Sequence, residues 1–159
     1  MLIQGILIAV AVVILDQLAK WGIVSHFASH PETARQITVT GFFNLVLTMN
    51  RGISFGILND PDMGEIILVV VAAVIVVGLL VWLRRVKSYL LTLAIGFIIG
   101  GAAGNALDRL VRGAVVDFLD FHVGQWHPFA FNLADAAISV GVALLVLDGL
   151  LGGRGQAAG

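Results

Sequence analysis

The sequence predicts an all-α integral membrane protein, a four-transmembrane-helix bundle carrying a small extracytoplasmic β-like platform. Three observations lead there. Of 159 residues, 59% are hydrophobic, and the mean hydropathy is +1.02. Only 12% are Asp, Glu, Lys or Arg, where ordinary soluble domains carry about 25%. Apolar runs of the length a bilayer-crossing helix needs, roughly 20 residues, recur along the chain. So few charges cannot cover a water-soluble globule of this size. That excludes a cytosolic enzyme, a disordered chain and a nucleic-acid binder, which needs a basic surface. A formal net charge of −1 says nothing about partners. With no Cys in the chain, disulfides, thiolate zinc sites, cysteine nucleophiles and iron–sulfur clusters are excluded.

The first span runs from Leu2 through Leu15, interrupted by Gln4, and continues past Asp16, Gln17 and Lys20 to Val24. No basic residue precedes its apolar run and its polar residues come late, so it is expected to be a span rather than a cleaved leader. The second span, Ile66 to Leu83, and the third, Ser88 to Leu107, carry no charge. The fourth, Pro128 to Leu147, carries only Asp135. Residues 1–151 form one membrane domain, and 152–159 are expected to be a flexible cytoplasmic tail.

Arg84, Arg85 and Lys87 crowd the short link between spans two and three, and such density marks a cytoplasmic loop. An even number of spans then places both termini in the cytoplasm. The loops at 25–65 and 108–127 face outward, although they hold Arg35, Arg51, Arg109 and Arg112. Within the first, Ile37 to Thr40 alternates apolar and polar residues and Gly41 to Met49 is rich in Phe, Val and Leu, a strand-like pattern. Asn59-Asp60-Pro61-Asp62 reads as a turn. In the second loop, Val115 to Val123 is again strand-like, and Gly124 and Pro128 break it before span four.

Polar groups inside apolar spans are expensive and are functional candidates by default. Asp16 and Lys20 lie four apart on one helix face and can pair, which as a structural ion pair requires no chemistry. Asn105, Asp108 and Arg109 gather at the outer end of span three, where the planar fork of Arg109 can hold a carboxylate. Gly96, Gly100 and Gly104 repeat every four residues, a close helix-packing stripe. Asp135 stands seven residues after Pro128, about 10 Å along the helix, without a basic residue within one turn. A lone carboxylate there must be protonated or share a polar cavity, and Asn132 one turn earlier suggests a cavity. Asp117, an acid in an apolar run, is its natural companion. Two adjoining carboxylates split their pKa values, giving one acid and one base at a single pH. One can activate water while the other protonates a peptide carbonyl. A proton-coupled transporter using Asp16, Asp117 and Asp135 as a relay has the same ingredients, and a non-catalytic assembly factor is a third reading.

Together these segments resemble the lipoprotein signal peptidase (signal peptidase II) family. The residues that carry the resemblance are Leu15-Asp16-Gln17-Leu18-Ala19-Lys20, Asn50-Arg51-Gly52-Ile53-Ser54-Phe55, Gly100 to Leu110, Gly113-Ala114-Val115-Val116-Asp117-Phe118 and Phe131-Asn132-Leu133-Ala134-Asp135. Ile53 and Ser54 stand where the family has a small pair, and Ala19 and Ala136 replace common hydroxyl residues. The resemblance implies a membrane aspartic endopeptidase of the bacterial cytoplasmic membrane. It would remove the signal peptide from prolipoproteins just before the diacylglyceryl-carrying Cys. It implies Asp117 and Asp135 as the catalytic pair. Asp16, Lys20, Asn50, Gly52, Gly104, Asn105, Arg109, Asn132 and Ala134 would bind substrate or organise the pocket. It further implies no metal or organic cofactor, lipid-modified prolipoproteins and membrane lipids as partners, inhibition by globomycin-type peptides, no nucleic acid, and a monomer with its active site near the outer face.

Overall fold

The computed structural model describes residues 1–33, 36–52 and 61–156. The turn at Asn59 and Asp60 and the departures at Ile53 and Ser54 lie outside the described residues. In chain order come α1 (Leu2–Ser29), β1 (Gln36–Thr40), β2 (Phe43–Asn50), α2 (Pro61–Leu83), α3 (Tyr89–Arg112), β3 (Val115–Phe121), β4 (Ala130–Phe131) and α4 (Leu133–Gln156). Among the described residues, four helices are long and apolar enough to cross a membrane, within Leu2–Ser29, Met63–Leu83, Tyr89–Arg112 and Leu133–Leu151.

The helices are apolar on the outside. On α1, Leu7, Leu15, Leu18 and Trp21 are exposed while Gly5, Ala9, Asp16 and Lys20 are buried. Water would drive the opposite arrangement. In lipid, large apolar side chains face the acyl chains, and small or polar ones mediate helix contact. Helix α3 is the hub and packs on α1, α2 and α4. The glycine stripe permits this. A Cβ on Gly100 would lie 2.7 Å from the Ala9 carbonyl oxygen of α1, so only glycine allows the two backbones this close. Ala9, Leu83, Val86, Ile95 and Ile99 form the apolar core where α1, α2 and α3 meet.

Helix α3 is bounded by clear signals. Ser88 caps its start by accepting the Leu91 N–H at 3.3 Å. At its end Gly113 adopts φ +67°, the left-handed conformation that glycine tolerates, and donates its N–H to the Arg109 carbonyl at 3.0 Å. The chain then turns directly into β3.

The strand-like segments form one antiparallel sheet in the order β1-β2-β3-β4. Thr48 pairs with Asp117 and Asn50 with Val115, past a register shift between Leu45 and Thr48. Phe43, Phe121 and Phe131 stack across three strands, with ring centroids 4.7 and 5.9 Å apart.

The fourth helix differs from the sequence reading at both ends. It begins at Leu133, not Pro128, because Ala130 and Phe131 pair with β3 and Asn132 caps the helix. Asp135 is therefore in the first turn of α4 and not about 10 Å along it. Two strand residues are too few to leave a periodic signal. The helix also continues to Gln156, so the segment set apart at Gly152 begins as helix.

Candidate active site

The end of the sheet meets the C-terminal part of α1, the C-terminal turns of α3 and the N-terminal turn of α4, and every predicted site residue is near this junction. Asp117 is on β3 with 2% of its surface exposed. Both of its oxygens are engaged. Asn132 Nδ2 donates to Oδ1 at 2.7 Å and Asn50 Nδ2 donates to Oδ2 at 2.9 Å. Burial pushes the Asp117 carboxyl above the ordinary carboxylate value, against the two amide donors. The negative charge of Asp135 pushes the same way, and the Lys20 ammonium opposes it.

Asn132 connects this group to Asp135. Its Oδ1 accepts the Asp135 backbone N–H at 2.9 Å, the bond expected of an Asn before a helix. One side chain thus caps α4 and holds β3. Asp135 is half-buried, and its Oδ1 accepts Asn105 Nδ2 at 2.7 Å. Asn50 is held by its own turn, its Oδ1 accepting the Gly52 N–H at 2.9 Å. Gly52 has φ +86°, which favours glycine.

Behind the pair is a buried ionic cluster. Asp16, Lys20 and Asp108 have no exposed surface. Lys20 Nζ is 2.7 Å from Asp16 Oδ2, 2.8 Å from Asp108 Oδ2 and 3.2 Å from Asn105 Oδ1. Arg112 pairs with Asp108 Oδ1 and donates to Gln17 Oε1 at 3.1 Å. Gln17 Nε2 donates to Asp108 Oδ1 at 2.9 Å. Two carboxylates and two cations balance, as buried charge requires. Gly104 admits this cluster, since a Cβ there would lie 2.9 Å from Asp16 Oδ2. Ala134 is fully buried and gives its N–H to Asp16 Oδ1 at 2.9 Å.

One expectation is corrected. Among the described residues Arg109 holds no carboxylate. Its hydrogen bond runs from Nη1 to the Asn105 carbonyl at 3.4 Å, and its buried Nε has no partner among those residues. Arg112 takes the carboxylate because a spacing of four returns to the same helix face, whereas the next residue is turned about 100° away. Sequence reasoning counted Arg112 as a loop charge and gave Gln17, a polar residue of span one, no role of its own. The polar spacing Asp108–Arg112 was the signal for the first. The pairing of Asp135 with Asn105, and through it with Lys20, had no sequence signal.

A cleft of about 440 Å³ opens over Asp117, lined by Thr48, Met49, Asn50, Arg51, Gly52, Phe129 and Ala130. It presents β2 backbone and side chains of both polarities beside the carboxyl. The Asp117 carboxyl thus borders a space large enough for a short peptide segment.

A protein-family model described as signal peptidase (SPase) II matches residues 8–151. A lipoprotein signal peptidase of Rhizorhabdus wittichii is 44% identical over 149 residues, covering 92% of this chain and 86% of that protein. One from Rhodopseudomonas palustris is 44% identical over 155 residues, covering 93% and 92%. A bacterial membrane enzyme solved by the in meso method at 1.9 Å aligns with a TM-score of 0.74 and 30% identity, over 90% of each chain. Another, solved at 2.3 Å, aligns with a TM-score of 0.72 and 31% identity, over 92% of this chain and 87% of that one.

Proposed function

The chain belongs to the signal peptidase II family, and from that premise we propose that it is an aspartic endopeptidase that removes signal peptides from lipid-modified prolipoproteins. The cut would fall just before the Cys that carries diacylglycerol. The observation that supports the catalytic assignment is the bridge of Asn132 between Asp117, which lines the open cleft, and the Asp135 backbone.

The reaction follows from two carboxyls that share one proton. The ionised one takes a proton from water as the water oxygen bonds to the scissile carbonyl carbon. The protonated one gives its proton to the carbonyl oxygen. Collapse of the tetrahedral diol breaks the C–N bond, and the leaving amine takes up a proton. Burial of Asp117 favours its protonated form.

The position of Asp135 in the first turn of α4 supports a site near one membrane surface. The density of Arg84, Arg85 and Lys87 at the far end of the bundle supports the outer surface and cytoplasmic termini. A prolipoprotein could then keep its acyl chains in lipid, lay its signal helix along the bundle, and extend its cleavage segment into the cleft beside β2.

The test is substitution of Asp117 or Asp135 by Asn, which keeps size and removes ionisation. Each variant should cleave a lipid-modified prolipoprotein about 10³-fold more slowly or worse, with unaltered helical content. Normal cleavage by both would overturn the assignment.

A further inference from the structure

We propose that Lys20 is a positioning residue for the reaction: its one ammonium clamps Asp16 and Asp108, each of which grips the backbone N–H immediately before a catalytic aspartate. The inference rests on the two-aspartate reading above and concerns what fixes the spacing of that pair.

The geometry is symmetrical in function. Asp16 spends Oδ2 on Lys20 at 2.7 Å and Oδ1 on the Ala134 N–H at 2.9 Å. Ala134 precedes Asp135, and its N–H is among the helix-start donors that have no partner within the helix. Asp108 accepts both Lys20 at 2.8 Å and the Val116 N–H at 3.2 Å on Oδ2. Val116 precedes Asp117. The third proton of the ammonium goes to Asn105 Oδ1 at 3.2 Å. An ammonium can only donate, so the Asn105 amide must face it with oxygen and present nitrogen to Asp135. That nitrogen is 2.7 Å from Asp135 Oδ1.

A simple packing ion pair would need only the first contact. Here every donor of Lys20 leads, through one side chain, to one of the two catalytic elements. Neither β3 nor the start of α4 carries a cation of its own that could do this. The cluster is rigid because Lys20, Asp16 and Asp108 are without exposed surface, and because Arg112 and Gln17 occupy the other Asp108 oxygen. Misplacing reacting groups by about 1 Å can cost roughly 100-fold in rate, so a clamp of this kind acts on turnover rather than on substrate binding.

The experiment uses the full-length protein in lipid or detergent micelles with a lipid-modified prolipoprotein as substrate. Lys20→Met alone leaves Asp16 buried without a cation and Asp108 with Arg112 only, and threatens the fold. The decisive variant is therefore the neutral set Asp16→Asn, Lys20→Met and Asp108→Asn together, which leaves no stranded charge there beyond the partly exposed Arg112. Its kcat is expected to fall about 100-fold while KM stays within about threefold of the parent. A kcat within threefold of the parent, or a loss confined to KM, overturns the clamp. Parent protein and Asp117→Asn are run alongside. If the parent fails to cleave, or Asp117→Asn cleaves normally, it is the proposed function that fails. If both behave as expected and the neutral set keeps its kcat, the clamp alone fails.

Discussion

Asn132 Nδ2 is 2.7 Å from Asp117 Oδ1, which ties the cap of α4 to the middle of β3. The same side chain accepts the Asp135 N–H at 2.9 Å. Losing it should therefore cost stability and turnover together. Asn132→Ala removes a helix cap, worth about 1 kcal/mol, and leaves Asp117 with one donor fewer. The expected result is a lower unfolding midpoint and a cleavage rate reduced by about 100-fold. Thermal unfolding and a cleavage assay on one preparation check both.

The pH dependence has a definite sign. Burial raises the Asp117 carboxyl, and the Asn50 amide opposes that by stabilising the ionised form. Folded Asp117 thus holds its proton to higher pH than it would unfolded. Its contribution to stability is present at low pH and is lost as pH rises through the folded value. The proposed mechanism needs one proton on the pair, so it predicts that the rate falls on the alkaline side as that proton leaves. Asn50→Ala should move this alkaline limb to higher pH, besides slowing turnover. A pH–rate profile that keeps the parent limb in Asn50→Ala would contradict the account.

Asp120 shows the opposite sign. Its own burial pushes it up, but the Asn44 amide at 3.0 Å and His127 at 2.8 Å outweigh this and hold it below the ordinary carboxylate value. That stability is present above the unfolded value and is lost as pH falls through the folded one. Asn44→Ala should lower the unfolding midpoint at neutral pH and flatten its decline in acid. Comparing midpoints at two pH values tests this without reference to activity.

The glycines divide into two kinds. A Cβ on Gly104 would lie 2.9 Å from Asp16 Oδ2, and that oxygen cannot retreat because Lys20 holds it. Gly104→Ala should destabilise by about 1–3 kcal/mol and depress cleavage. A Cβ on Gly78 of α2 meets nothing within 4 Å. Gly78→Ala should be neutral, or stabilising by up to about 1 kcal/mol from helix propensity.

Orientation can be read directly because the chain has no Cys. Lys87→Cys should react with a membrane-impermeant thiol reagent only from the cytoplasmic side. Val123→Cys, at an exposed position between β3 and β4, should react only from the opposite side. The reverse pattern would place the site on the inner face and exclude the proposed topology.

The sequence by itself determined the four spans, because lipid demands long uncharged helices and 12% charge leaves few other ways to fold. It also determined the strand segments β1 to β3 through their alternation. By resemblance it singled out Asp117 and Asp135. The helix-packing glycines and the Asp16–Lys20 pair were legible because helix faces repeat every three to four residues. Only the tertiary structure decided which groups meet across elements. Span four starts at Leu133 because two residues found a strand partner in β3, and no local pattern encodes a partner. Arg112, not Arg109, pairs with Asp108, since the helix continues past the point where composition ended it. Lys20 serves both Asp16 and Asp108, and reaches Asp135 through Asn105, because α1, α3 and α4 converge there. Hydrophobic periodicity describes how one helix meets lipid, but Lys20 and Asp16 also take partners 85 and 118 residues away, and those contacts exist only once the bundle has closed.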